Sequence, residues 1–145
     1  MNPKVSSWIV VLLWILAAMD LVNGIAMFCF PSFWFFKLIP GVPETGPYNM
    51  HLVMDSGTFF LAIGVGLVAA AMAPRRNAVV VVVAAIAGVM HSALHVYSHA
   101  VGLLSTEHLA SEILSMVVPT VVLIVIAAKL YSESDETRLV SARAA

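Results

Sequence analysis

Nine polar side chains that could do acid–base or ligand chemistry stand inside long apolar stretches of this chain. They form four groups along the sequence: Asp20 and Asn23; His51 and Asp55; His91, His95 and His99; and His108 and Glu112. Within the last three groups the neighbours are spaced by four residues, a spacing that places side chains on one face of a helix. Imidazole nitrogens and carboxylate oxygens bind transition metals, and they also exchange protons near neutral pH.

The elements that carry these residues are predicted to be membrane spans. Of the 145 residues, 61% are hydrophobic and only 10% are charged, which excludes an ordinary soluble domain. Crossing a bilayer takes about 20 apolar residues, and four stretches qualify: about 7–30, 50–73, 78–100 and 107–131. The sequence therefore predicts an all-α integral membrane four-helix bundle as a single domain over 1–131. The polar tail 132–145 is predicted to be disordered.

The basic residues predict the orientation. With four spans, one side of the membrane receives both termini and Lys4, Arg75, Arg76, Lys129, Arg138 and Arg143, while the other side receives only Lys37. Because basic residues favour the cytoplasmic side, we expect cytoplasmic termini in a multi-pass protein of the plasma membrane, the inner membrane of a bacterium. The aromatic segment 31–48 is predicted to lie in the outer interface. A net charge of −1 excludes nucleic acid as a partner.

With this topology all nine polar residues fall in the outer half of the bundle. Asp20, Asp55 and Glu112 have no lysine or arginine in the same layer. An unpaired charge inside a membrane costs about 2.5–3.5 kcal/mol even on lenient scales. Each carboxylate must therefore be protonated, pair with an imidazole or bind a cation. We expect these groups to meet in one pocket.

A bound metal ion or cofactor is the leading functional prediction. The predicted metal ligands are His51, Asp55, His91, His95 and Glu112, with zinc, copper or iron as the metal. The predicted hydrogen-bonding groups that orient these ligands are Asp20, Asn23, His99 and His108. Cys29 is the only cysteine, so thiolate metal sites are excluded. A catalytic role stays open, in which metal-bound water attacks a lipid ester or amide.

Three further functions stay open. The first is an electron-transfer module with haem b held by two histidines, for example His51 and His95. The second is a proton relay through histidine–carboxylate pairs. The third is an accessory subunit whose polar cluster is structural. The expected partners are the lipid bilayer, a lipid or quinone-like ligand, and further membrane subunits in a homo- or hetero-oligomer.

Local signals also predict how the helices begin and approach one another. Asn49 and Asn77 are predicted to cap the second and third spans, because asparagine is a favoured N-cap residue. Small residues four apart allow neighbouring membrane helices to come close. We expect such contact between the second and third spans at Ala62, Gly66, Ala84 and Gly88.

The segment Pro40-Gly-Val-Pro-Glu-Thr-Gly-Pro-Tyr-Asn-Met-His51, continuing to Asp55, resembles a known motif. It is similar to the Pro-Gly-Val-Pro-x-Thr-Gly-Pro-x-Asn-x-His-Phe-x-x-Asp motif of a family of small bacterial four-span membrane proteins without an established activity, which look loosely like DoxX-type proteins. The resemblance also covers 20–24, the aromatic residues 33–36 and the His91-x3-His95 span.

This resemblance implies His51, Asp55, His91 and His95 as site residues, and its DoxX-like character implies redox or respiratory partners by association only. The chain departs from the family in having Leu52 for the usual phenylalanine and Met54 where family members often have arginine. Asp55 therefore lacks that counterion, which favours a histidine or a metal as its partner.

Overall fold

The computed structural model describes the backbone of residues 5–143 and the side chains of 5–132, and within this range the chain forms helices and turns without strands. Four helices are long and apolar enough to cross a membrane. They are span 1 (Ser7–Cys29), span 2 (Met50–Met72), span 3 (Ala78–Ala100) and span 4 (Thr106–Ser132). The predicted all-α four-helix bundle is confirmed, and each bound lies within one residue of the predicted one.

The two ends of the bundle differ in composition. Arg75 and Arg76 in the turn between spans 2 and 3, and Lys129 near the end of span 4, mark what we call the basic end. The opposite, loop end carries the connection between spans 1 and 2 and the connection between spans 3 and 4. In the first connection, a helical turn at Pro31–Phe33 leads into a π-helical turn at Trp34–Leu38, and a 3-10 turn follows at Val42–Thr45.

One of the two predicted caps forms. Asn49 accepts a hydrogen bond from the backbone N–H of Leu52 at 3.1 Å and so caps span 2. Asn77 makes no cap bond at the start of span 3, so that prediction was wrong. Its amide donates instead to the carbonyls of Ala69 at 2.8 Å and Ala73 at 3.2 Å. The last carbonyls of a helix lack partners within the helix, and Asn77 supplies one to the end of span 2.

Span 4 is irregular where it approaches the middle of the bundle. A 3-10 turn, a short α-helical segment and a π-helical turn precede its long α-helix, at Thr106–His108, Leu109–Glu112, Ile113–Val117 and Val118–Arg143. Pro119 has no N–H to donate, and the π-helical turn comes directly before it. The hydroxyl of Thr120 donates to the carbonyl of Met116 at 2.7 Å. The irregular turn before the proline therefore rotates the preceding side chains of span 4 about the helix axis.

The α-helix of span 4 continues to Arg143, whereas the sequence predicted disorder from residue 132. A helix that has already nucleated adds residues at little cost. The segment also contains glutamate, leucine, arginine and alanine, which favour helices. Residues 144 and 145 lie outside the described range.

Spans 1 and 2 are in direct backbone contact where Gly24 crosses Gly57. A Cβ atom on Gly24 would lie 2.9 Å from the carbonyl oxygen of Gly57 and 2.9 Å from the backbone nitrogen of Leu61. A Cβ atom on Gly57 would lie 3.0 Å from the carbonyl oxygen of Gly24. The two backbones therefore touch directly, which only glycine permits.

The small residues predicted to join spans 2 and 3 serve different neighbours. A Cβ atom on Gly66 would lie 2.8 Å from Val80 Cγ1 of span 3, in the predicted direction. A Cβ atom on Gly88 would instead clash with the Thr120 hydroxyl of span 4. Span 3 therefore uses Gly88 to approach span 4, and the bundle consists of two close pairs, 1–2 and 3–4.

The apolar core that joins the two pairs is confined to the basic half of the bundle. All four spans contribute to it, through Ile9, Leu13, Leu16, Ala17, Leu67, Ala70, Ala71, Val81, Ala84, Ala85, Leu123, Ile126, Ala127 and Leu130. The buried cluster at the loop end contains Met27, Phe35 and Val53, and these belong to pair 1–2 and its loop. Among the described side chains, the two pairs thus share a buried apolar cluster at the basic end and not at the loop end, where Leu104 of the connection between spans 3 and 4 is buried outside the cluster.

Candidate functional site

A cavity of about 250 Å³ lies between the two pairs, midway along the spans. All four spans line it, mostly with apolar side chains, and its polar lining residues are Asp20, His91, Ser115 and Thr120. Met19 and Phe59 also line the cavity and are themselves exposed. The cavity is therefore open towards the surrounding lipid.

Asp20 and His91 face this cavity without hydrogen-bond partners among the side chains of 5–132. The described lysines and arginines lie at the two ends of the bundle, in the loop after span 1, in the turn after span 2 and near the end of span 4. The Asp20 carboxyl group must therefore bind a proton, an imidazole or a cation, as expected for an acid at membrane depth. His91 contributes an imidazole to the same cavity.

The histidines of span 3 continue from the cavity towards the loop end. The rings of His91 and His95 stack at a centroid distance of 5.0 Å and an angle of 13°. The His91 ring also meets the Phe60 ring of span 2 in an edge-to-face arrangement, with a centroid distance of 6.2 Å. A parallel stack at this distance gives no hydrogen bond between the rings, so His91 belongs to the cavity and His95 to the next layer.

That next layer is a largely buried trio of His95, His99 and Glu112. Glu112 Oε2 hydrogen-bonds to His99 Nε2 at 2.7 Å and lies 3.3 Å from His95 Nδ1, a contact that lacks hydrogen-bond geometry. The Nδ1 atoms of His95 and His99 are buried and have no hydrogen-bond partner within the described part of the chain. His99, predicted as an orienting group, makes the shorter of the two imidazole contacts with Glu112.

His51 and Asp55 lie apart from this trio. Their side chains contact each other at 3.3 Å across one turn of span 2, and they are 86% and 54% exposed. Asp55 thus has a histidine neighbour, one of the two partners that were expected for it because position 54 is methionine and not arginine. The pair is exposed, and exposed pairs of this kind contribute little to stability.

Asn23 orients a tryptophan. Its Oδ1 accepts a hydrogen bond from Trp34 Nε1 at 2.8 Å, and its amide lies 3.7 Å from the Met27 sulfur. In the described part of the chain, Asn23 therefore fixes the aromatic loop on span 1 and makes no hydrogen bond to an imidazole.

His108 takes part in a contact that the sequence analysis missed. Glu44, in the loop between spans 1 and 2, accepts hydrogen bonds from the Ser105 backbone N–H at 3.0 Å and from His108 Nε2 at 3.1 Å. The Ser105 hydroxyl lies 3.5 Å from the same carboxylate. The Ser105 N–H, together with the His108 imidazole, holds the pKa of Glu44 below its ordinary value of 4.5.

The five predicted metal ligands thus fall into separate places. His91 lines the cavity, His95 and Glu112 share the trio, and His51 and Asp55 form the exposed pair. Over residues 5–132, no three histidine, cysteine, aspartate or glutamate side chains are arranged to hold a metal ion. The polar groups therefore do not all meet in one pocket: Asp20 and His91 share the cavity, and the trio adjoins it through His95.

In comparisons with protein families, curated proteins and solved structures, nothing matches this chain. The fold and the site must therefore be interpreted from their own chemistry.

Proposed function

We propose that this integral membrane protein binds a small, membrane-dissolved molecule of the quinone class in the cavity, with Asp20 and His91 as its hydrogen-bonding groups. The observation that carries the proposal is a mostly apolar cavity that contains a carboxyl group and an imidazole without partners among the described residues. Ligand sites typically combine an apolar lining with a few convergent polar groups.

The position of the two polar groups favours a ligand with two acceptors. Asp20 belongs to span 1 and His91 to span 3, so they approach the cavity from different helix pairs. A protonated carboxyl group and an imidazole N–H are both donors. A quinone ring carries a carbonyl oxygen at each of two opposite positions, and it is flat enough to lie against Phe60 and the His91 ring. Its apolar tail can leave through the lipid-facing opening beside Met19 and Phe59.

The experiment is an equilibrium titration of the purified protein in detergent with a short-chain benzoquinone analogue. Asp20→Ala and His91→Ala should each weaken binding by roughly tenfold, the effect of losing one buried hydrogen bond. Asp55→Ala and His51→Ala are matched controls, because they remove the same residue types from the exposed pair, and they should bind like the wild type.

Equal affinities in all four variants would show that the analogue only partitions into the micelle, and the proposal would then be wrong. Helical content and elution volume identify any variant that does not fold. Asp20→Asn provides a second check, because its amide still donates a hydrogen bond and should recover part of the lost affinity.

A transition-metal site at the trio is the second candidate. It is favoured by two imidazole nitrogens near one oxygen of Glu112: His95 Nδ1, buried at 3.3 Å without a hydrogen bond to the described residues, and His99 Nε2 at 2.7 Å. Zinc, copper and iron all accept two imidazoles and a carboxylate, with water completing the set. Because Glu112 is hydrogen-bonded to His99 at 2.7 Å, these side chains must separate slightly to admit an ion.

The other functions considered from the sequence remain predictions. Haem ligation by His51 and His95 would need an exposed and a buried histidine from different places in the bundle. The redox partners implied by the likeness to DoxX-type proteins agree with a quinone-like ligand, and the family resemblance itself is also a proposal.

A further inference from the structure

Glu44 connects the two helix pairs at the loop end. The carboxylate belongs to the loop of pair 1–2, and its partners Ser105 and His108 belong to the connection between spans 3 and 4. These partners are more than 60 residues away in the sequence, so the contact joins the two pairs at the end opposite their shared apolar core.

A second observation shows that the loop is shaped for this contact. Gly41 has a φ of +83°, a left-handed conformation that favours glycine. A Cβ atom on Gly41 would lie 2.9 Å from His108 Cδ2. The loop backbone therefore packs directly against the imidazole that Glu44 binds, and a side chain at position 41 would separate the two.

The packing elsewhere makes this contact important for the cavity. At the basic end, the apolar core of all four spans holds the pairs together. At the loop end, the buried apolar cluster of residues 5–132 belongs to pair 1–2, and the connection between spans 3 and 4 adds one buried apolar side chain, Leu104. If the angle between the pairs changes slightly, the pairs therefore rotate about the basic end. They then separate or approach at the loop end, and the width of the cavity changes with them.

We propose that the contact of Glu44 with Ser105 and His108 is a latch that sets the separation of the two pairs at the loop end and so controls access to the cavity. The latch concerns the same site as the proposed ligand and in that respect rests on the proposed function. Local openings of this kind use the least tightly packed contacts of a fold.

Few charged or titratable groups of the described residues surround the latch. On the loop of pair 1–2, Lys37 belongs to the π-helical turn and is exposed. On the opposite connection, Glu107 is exposed beside His108, and the His99–Glu112 bond lies within pair 3–4. Of these groups, Glu44 and His108 form the side-chain contact, at 3.1 Å, that joins the pairs at this end.

The first test measures access directly and needs no ligand. In a Cys29→Ser background, Thr120→Cys places a single thiol on the buried wall of the cavity. The rate of its reaction with a small membrane-permeant maleimide should rise roughly 1.5- to fivefold in Glu44→Ala, the range for loss of an exposed charged contact. Glu107→Ala is the matched control, because it removes an exposed glutamate from the same end, and it should leave the rate unchanged.

The second test measures the separation of the pairs. Spin labels at Leu52→Cys and Leu114→Cys report the loop end, and labels at Met72→Cys and Tyr131→Cys report the basic end; all four side chains are exposed. Glu44→Ala should lengthen or broaden the loop-end distance distribution and leave the basic-end distribution unchanged.

An unchanged loop-end distance in Glu44→Ala would overturn the latch. A longer distance with an unchanged labelling rate at Thr120→Cys would overturn its control of access. Neither result depends on the quinone titration, so failure of the proposed function is separately visible as absence of probe binding to the wild type.

Discussion

Replacement of Gly24 by alanine should destabilise the bundle strongly and specifically. The new Cβ atom would lie 2.9 Å from both the Gly57 carbonyl oxygen and the Leu61 backbone nitrogen, about half an ångström closer than the 3.4 Å at which ordinary contact begins. Both are backbone atoms and cannot rotate away, so spans 1 and 2 must separate. Overpacking costs about 1–3 kcal/mol, and we expect the upper part of that range, about 2–3 kcal/mol.

Gly64→Ala is a graded control on the same pair of spans. There the new Cβ atom would meet chiefly the side chain of Leu21, with Cγ at 2.8 Å and Cδ2 at 2.9 Å, and the Leu21 backbone nitrogen only at 3.1 Å. A leucine side chain can change rotamer, so the expected cost is about 1 kcal/mol. The chemical change is identical in the two variants, and only the clashing atoms differ.

The assay is reversible unfolding in mixed micelles of a mild detergent and dodecyl sulfate, followed by circular dichroism. Asp20 lies about one helical turn before Gly24, so the same separation should also weaken binding of the quinone analogue. If Gly24→Ala costs no more free energy of unfolding than Gly64→Ala, the direct backbone contact at this crossing is not what holds spans 1 and 2 together.

Two further predictions concern the trio and the latch. If a metal binds the trio, Glu112→Gln should lower the zinc or cobalt content of metal-loaded protein while Asp55→Asn leaves it unchanged, as measured by elemental analysis; equal content in both variants would reject the trio as the ligand set. Because the pKa of Glu44 is lowered by its partners, the latch should be present at neutral pH and lost only as the pH falls through that lowered value, below 4.5. The loop-end spin-label distance should therefore stay constant above 4.5 and broaden below it, and broadening already near neutral pH would contradict this assignment.

The membrane spans and the cap at Asn49 could be predicted because their signals are local. A run of apolar residues determines a span by its length, and an asparagine before such a run reaches the N–H groups that follow it. The role of Asn77 could not be predicted from its neighbours in the sequence. It stands between two helix ends and can serve either, and the turn between spans 2 and 3 decides that it closes span 2.

The site could be predicted only in part because it depends on how the spans are rotated. His91 and Asp20 do share a cavity, but the π-helical turn before Pro119 changes which face of span 4 meets span 3. Its effect on Glu112, which meets both His99 and His95, cannot be calculated from residue spacing. Nothing in the sequence distinguished Glu44, because a glutamate in a loop rich in proline and glycine is usually an exposed residue without a specific partner.

The apolar core at the basic end also has an electrical consequence. This core lies between the cavity and the basic end, so a charge that reaches Asp20 from the loop end crosses only part of the membrane field. Moving one elementary charge through the whole field changes its energy by roughly 2.3 kcal/mol per 100 mV. Occupancy of Asp20 by a proton or a cationic group should therefore respond to membrane voltage.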